Sequence, residues 1–199
     1  MERRLQLPHR HKNWRRLYHQ DSALIMLQST HPKHIWAIDF VHNKLSNGRS
    51  YKMLTVLDEY TRETLCEAVR SKMTSNDVLN VLHHVLMKHD KPEFIRSDNS
   101  PDCVALHVQD WLKRVGIQPL LIYTGSPWET GYNERFNVTL RQEVLNAEWF
   151  HNTKQAQVAI NTWVRQYNQI RPHHALGMRL PVPETSLEKI KISGTEKLG

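Results

Sequence analysis

Three carboxylates sit where acids are either costly or conspicuous. Asp39 interrupts the most apolar run of the chain, between Ile38 and Phe40. A lone buried carboxylate is strongly disfavoured unless it is paired, protonated or metal-bound. Asp98 ends a short apolar segment, followed by Asn99, Ser100 and Pro101. Glu134 comes 36 residues later, beside Asn133, Asn137 and Arg141. Each has an ordinary explanation. Period-2 alternation can turn Asp39 to solvent, Asp98 can make an Asx-turn or a helix cap, and Glu134 suits a helix N-terminus. Together they form a pattern: an Asp in a first strand, an Asp at the C-terminal end of a later strand, and a Glu on a following helix. Strand C-termini are where α/β sheets place functional groups. Oxygen donors on rigid elements are what Mg²⁺ needs, since it keeps several waters and adds substrate phosphate oxygens. Two such ions can activate a nucleophilic oxygen and stabilise the leaving oxygen of an in-line phosphoryl transfer.

The elements that must position these residues follow from local signals. Ile35 to Val41 reads as a strand, the Ser46–Arg49 segment as a turn, and Tyr51 to Leu57 as the second arm of a hairpin. Thr64 to Val69 is an edge-like third strand. Thr74 and Asp77 form a capping box ahead of Val78, Val81, Leu82, Val85 and Leu86 on one helical face, with His83 and His84 on the solvent side. Lys91 and Pro92 stop that helix, and Glu93 to Ser97 is a fourth strand. Val104, Val108, Trp111, Leu112 and Val115 make one further helical stripe, closed by Gly116. Ile117 to Tyr123 is a fifth strand. A helix over 132–145 has Tyr132, Phe136 and Leu140 on one face, with Glu134, Asn137 and Arg141 on the polar side. A last helix from Thr153 carries Ala156, Ile160, Trp163, Val164 and Tyr167. Hairpins first, then strands alternating with helices, predict an α/β fold with a mixed five-stranded sheet flanked by helices.

The 199 residues allow one domain with an appendage, and 39% hydrophobic with 24% charged residues exclude wholesale disorder. No run approaches the length of a membrane span, and the N-terminus lacks a secretory signal. The two cysteines, Cys66 and Cys103, are too few for a disulfide framework or a zinc site, which suits a reducing cytosol. Of the net charge of +7, residues 1–33 carry +5 and the rest only +2. A basic arm that includes Arg15 and Arg16 therefore precedes a nearly neutral body. It is either a solvated terminus or a phosphate-contacting arm, and it suggests a polyanionic partner.

The sequence resembles the catalytic core of the retroviral-integrase-like transposases (DDE superfamily), most closely the long reading frame of the IS3-type insertion elements. The matching stretches are Trp-Ala-Ile-Asp-Phe (36–40), Thr-Val-Leu-Asp-Glu-Tyr-Thr-Arg-Glu (55–63), Ile-Arg-Ser-Asp-Asn (95–99), residues 131–141 and residues 163–177, with 35 residues between Asp98 and Glu134. The resemblance implies an RNase H-like fold over residues 34–184, followed by a flexible tail over 185–199. It further implies that Asp39, Asp98 and Glu134 hold two Mg²⁺ (or Mn²⁺) ions and catalyse hydrolysis and then transesterification at DNA phosphorus. DNA ends and target DNA would be the partners of a homo-oligomer working in the bacterial cytoplasm on the nucleoid. Asn137, Arg141, Arg15 and Arg16 become candidate DNA contacts, with Asn137 and Arg141 alternatively steadying Glu134. Arg62 is a candidate ion-pair partner for Asp58 and Glu59. Arg171, Pro172 and His173 serve packing or DNA contact.

Two departures bear on activity. The family's Asp-Asn-Gly-Pro-Glu-Phe is here Asp98-Asn99-Ser100-Pro101-Asp102-Cys103. Ser100 is expected to occupy a positive-φ position at a cost of roughly 1 kcal/mol, and Cys103 to be a small buried filler. Residues 1–33 are too few for the family's N-terminal helix-turn-helix region. The arm then reads as its remnant, and an impaired, non-catalytic DNA-binding remnant is the alternative function. A structure-specific nuclease of the same fold is a third.

Overall fold

The computed structural model describes residues 27–98, 100–122 and 131–182, apart from the side chains of Asp102 and Val104. Five strands form one mixed sheet: β1 (Ile35–Lys44), β2 (Ser50–Asp58), β3 (Thr64–Arg70), β4 (Phe94–Ser97) and β5 (Gln118–Leu121). Their order is β3-β2-β1-β4-β5. The first three pair antiparallel, while β4 and β5 add in parallel beside β1. The parallel half requires helical crossovers. These are α1 (Ser75–Lys88) between β3 and β4, and α2 (Pro101–Val104) with α3 (Leu106–Arg114) between β4 and β5. Helix α4 (Gly131–Leu140) and α5 (Thr153–Gln169) follow the sheet.

Strand alternation sorts the core into two layers. Trp36, Ile38, Leu54 and Val56 pack with Val78, Leu82 and Val85 of α1 and Val108 and Leu112 of α3. On the other side Val41, Tyr51, Met53 and Leu57 pack with Phe136 and Leu140 of α4 and Ile160, Trp163 and Tyr167 of α5. The expected hairpin, the capping box and the apolar stripes of α1 and α5 are present. The Thr74 hydroxyl accepts from the Asp77 N–H while the Asp77 carboxylate accepts from the Thr74 N–H. Gly116 takes φ +75 just past α3, and His83 and His84 are exposed. Both cysteines are free, and burial pushes the Cys66 thiol up to about 12, which leaves it protonated and unreactive.

Three local expectations need correction. The stripe through Val104–Val115 is two helices, because Ala105 turns extended (φ −53, ψ 129) between them. The helix over 132–145 stays α-helical only to Leu140 and widens into a π turn over Arg141–Leu145. That extra residue swings Val144 and Leu145 inward while Glu143 accepts from the Trp163 indole at 2.8 Å. The fifth strand ends at Leu121, and Tyr123 lies outside the described residues.

Edge strand β3 does not present a bare ladder. The Asn168 side-chain amide accepts from the Thr64 N–H at 2.9 Å and donates to its carbonyl at 2.8 Å. Gln157 does the same for the Val69 N–H and the Glu67 carbonyl. Two amides of α5 thus stand in for a sixth strand, which blocks edge-to-edge pairing. Within this edge the Glu67 Oε1 is buried and lacks any partner. Burial pushes the carboxyl up to about 8, with only Lys88 pulling it back. A carboxyl that binds its proton more tightly when folded makes stability fall as pH rises, here from about 4.5 through 8. Glu67→Gln is therefore expected to flatten that limb and to gain on the order of 2 kcal/mol at about pH 8.5. Urea unfolding of both proteins at about pH 5 and pH 8.5 measures it; equal losses between the two pH values in parent and variant would refute it.

Candidate active site

Strand register brings the first two carboxylates together. Ile38 of β1 pairs with Ser97 of β4, so Asp39 and Asp98 are the next residues along two adjacent parallel strands. Alternation places Asp39 on the same side of the sheet as Val41, the side covered by α4 and α5. The solvent-facing alternative for Asp39 is therefore set aside: it is half-buried. Its Oδ1 accepts from the Phe40 N–H at 2.7 Å and its Oδ2 from the Asn137 amide at 2.5 Å. The Thr55 hydroxyl donates to the Asp39 carbonyl at 3.2 Å, tying this point of β1 to β2.

Asp98 lies just past the end of β4 and is exposed, its Oδ1 accepting from the Ser100 N–H at 3.1 Å. The Asx-turn reading is thus correct, and it fixes the carboxylate at the strand end. Ser100 has φ −62, so the strain expected at a positive-φ position is absent. Cys103 is buried as expected. Glu134 is exposed in the first turn of α4, three residues before Asn137 and therefore on the same side of the helix.

The electrostatics reflect the convergence. Burial raises the Asp39 carboxyl above the usual carboxylate range, and the charges of Asp98 and Glu134 raise it further, against the pull of the Phe40 N–H and the Asn137 amide. Asp39 thus senses both other acids, although the three do not close on a common centre. Among the described residues no group of three or more His, Cys, Asp or Glu side chains is gathered to hold a metal ion.

The surrounding residues differ from expectation in informative ways. The Asn137 amide steadies Asp39. Arg141 donates to the His42 carbonyl at 3.3 Å, farther along β1. Arg15 and Arg16 lie outside the described residues. Arg171 pairs with Glu143, and the His173 ring packs edge-on against Tyr167 at 4.5 Å. Arg62 acts on Glu59 through its charge and is not its ion-pair partner. That role belongs to Arg96 of β4, whose Nη1 donates to both Glu59 carboxylate oxygens at 2.9 and 3.1 Å with both side chains buried. Arg62 instead lies 3.3 Å from the Tyr132 ring centroid. Tyr132 therefore stays outside the apolar face of α4 to which its spacing had assigned it, and is 45% exposed. Asp58 is a turn-maker. It accepts from the Lys33 N–H at 2.7 Å, the Tyr60 N–H at 2.9 Å and the Thr61 N–H at 3.0 Å.

Two family profiles, each described as integrase core domain, match residues 29–127 and 115–181. The chain is 38% identical over 156 residues to the insertion element IS476 uncharacterized 39.2 kDa protein of Xanthomonas euvesicatoria, covering 78% of this chain and 45% of that protein. It is 35% identical over 150 residues to the insertion element IS407 uncharacterized 31.7 kDa protein of Burkholderia multivorans, covering 75% and 54%. The chain thus spans about half the length of the curated relatives it matches. Among solved structures, the HTLV-2 integrase catalytic core domain in complex with magnesium superposes with a TM-score of 0.62 at 20% identity, covering 77% of this chain and 97% of that one. That likeness establishes the mixed, helix-flanked sheet as the RNase H-like fold of integrase cores. The two profiles together span residues 29–181, and the chain belongs to the integrase core domain family, with relatives among proteins of bacterial insertion elements.

Proposed function

We propose that this chain cleaves and joins DNA strands by phosphoryl transfer, with Asp39, Asp98 and Glu134 as ligands of two divalent ions, Mg²⁺ or Mn²⁺. The observation that supports the reading is the Ile38–Ser97 register together with the Asn137–Asp39 bond, which set the Asp39 carboxylate beside the end of β4 and against the helix that carries Glu134. The residues fit such ions in chemistry. They are hard oxygen donors whose mutual repulsion a cation would relieve, and the Asn137 Oδ1 beside them is buried without a partner. An ion that keeps several waters does not require a closed protein cage. When bound, the ions neutralise phosphoryl charge and activate the attacking oxygen.

The chain's own residues do the positioning. Asn137 holds the Asp39 carboxylate in one rotamer, the Asx-turn at Asp98 fixes the second, and the buried faces of Phe136 and Leu140 seat the helix that presents Glu134. Substrate geometry and preorganised charge then supply the rate enhancement. The basic arm with Arg15 and Arg16, and Arg141 on the body, supply phosphate contacts outside the carboxylate cluster. The protein works as a homo-oligomer on bacterial DNA. No helix among the described residues is long and apolar enough to cross a membrane.

The test incubates the full chain with DNA carrying inverted-repeat ends and Mn²⁺ or Mg²⁺. Metal-dependent nicking and joining are expected, with Asp39→Asn lowering both by about 10³-fold or more, the scale lost with a central charge-stabilising group. Equal activity in that variant rejects the reading. Cleavage by water without joining indicates a nuclease.

A further inference from the structure

The β2–β3 turn reaches in two directions. Toward β4, Glu59 holds Arg96, two residues before Asp98, through the buried bidentate pair. Toward α4, Arg62 stacks on Tyr132, two residues before Glu134. Hydrogen bonds cross-link the turn itself. Asp58 ties down the Lys33, Tyr60 and Thr61 amides, and the Asp58 carbonyl accepts from the Arg62 N–H at 2.9 Å. Glu59 is pinned to β1 by its N–H, which donates to the Ile35 carbonyl at 3.0 Å.

Arg62 carries two costs there. Its backbone is in the left-handed region at φ +63, unfavourable for a residue with a Cβ. Its Nε and Nη1 are buried with no hydrogen-bond partner, although an arginine ordinarily satisfies its donors when buried. What remains is a flat cation against an aromatic face, a contact with direction but no hydrogen bond. Strained backbone and unsatisfied groups cluster where structure is held for function. The side chain on the other end of this contact stands in the first turn of α4, the turn that carries Glu134.

We propose that Arg62 is a positioning residue for Glu134: through Tyr132 it locks the first turn of α4 to the β2–β3 turn that Glu59 locks to β4, so one turn sets the separation of Asp98 and Glu134. This rests on the carboxylate reading of the site. Arg62 and Tyr132 do not touch the reacting atoms; they act on the distance between two ligands. Loosening the stack lets the Glu134 turn wander while the core below it, from Phe136 onward, stays packed.

The experiment compares the parent chain with Tyr132→Leu, Tyr132→Phe and Arg62→Met. It reads thermal stabilisation against Mn²⁺ concentration, and kcat and KM for strand joining. Tyr132 is half exposed, so its variants fold even where Arg62→Met does not. Tyr132→Leu and Arg62→Met are expected to raise the Mn²⁺ midpoint several-fold and lower kcat roughly 10- to 100-fold, with KM for DNA within about twofold. Tyr132→Phe keeps the ring and restores both to within about threefold of the parent. The double variant Arg62→Met/Tyr132→Leu is no worse than the worse single, because both remove one contact. A fall in melting temperature with unchanged Mn²⁺ midpoint and kcat overturns the proposal, as does a change in KM alone, which would make these residues DNA contacts. Tyr132→Phe behaving like Tyr132→Leu also overturns it. Asp39→Asn separates the two levels. If that variant is fully active, the carboxylate reading fails; if it is dead while Tyr132→Leu matches the parent, only the positioning role fails.

Discussion

Glu134→Gln is expected to lower DNA cleavage and joining by about 10³-fold or more. Gln has the shape of Glu, and the side chain is exposed on the first turn of α4, so no packing is lost. What disappears is one anionic donor and one source of repulsion on Asp39. The loss belongs to the chemical step, because such a site accelerates phosphoryl transfer chiefly by stabilising charge. A second consequence separates this variant from a merely damaged one. With Glu134 neutral, the Asp39 carboxyl moves down toward its ordinary value, since one of the like charges that raised it is gone. Asp39 binds its proton more readily folded than unfolded, so it lowers stability as pH rises through its titration; Glu134→Gln reduces that penalty. Carboxyl-carbon NMR titration of Asp39 in parent and variant, without metal, reads the shift directly. An unchanged Asp39 titration would mean that Glu134 does not face Asp39, and near-parental joining would remove Glu134 from the site.

What could be read from sequence was local. Thr74 and Asp77 satisfy each other within one turn, Gly116 takes the left-handed conformation that its lack of a side chain permits, and the Trp163–Tyr167 stripe needs only helical spacing. The carboxylates stood out because Asp39 contradicts its apolar surroundings. What escaped detection depends on partners far along the chain. Glu59 and Arg96 are 37 residues apart, and proximity in sequence made Arg62 the more obvious partner. The break at Ala105 hides inside an intact apolar stripe, since periodicity counts side chains and is blind to one extended residue. The π turn after Leu140 is equally silent: it shifts the helical register to bury Val144 and Leu145, and only the sheet beneath decides that. Tyr132 had the spacing of a core residue, but a cation competes for its face.

Arg96→Met is expected to cost about 3–5 kcal/mol, the scale for stranding one partner of a buried ion pair, against a total of about 5–15 kcal/mol for a domain of this kind. The Arg96 and Glu59 side chains are 6% and 2% exposed. Arg96 also donates to the Leu27 carbonyl, so its loss frees the segment before β1 as well. Even with Arg96 present, burial pushes the Glu59 carboxyl up to about 7, the guanidiniums of Arg96 and Arg62 pulling against it. Without Arg96 the folded protein escapes the stranded charge only by keeping Glu59 protonated. Glu59 then binds its proton more tightly folded than unfolded, so the variant loses stability as pH rises from about 4.5 to beyond 7. Urea unfolding should therefore show a smaller deficit at about pH 5 than at pH 8, with the m-value unchanged. Adding Glu59→Gln removes the charge that Arg96→Met strands, and the double variant should regain most of the loss at about pH 8 and little at pH 5. A deficit independent of pH, or a double variant no better than the single, would locate the cost in lost packing and not in the charge. The same pair holds the β2–β3 turn against β4, so Arg96→Met in the folded state also tests the brace from its other end. The double variant restores stability but not the charged link. Its Mn²⁺ midpoint should stay raised after its unfolding free energy has recovered.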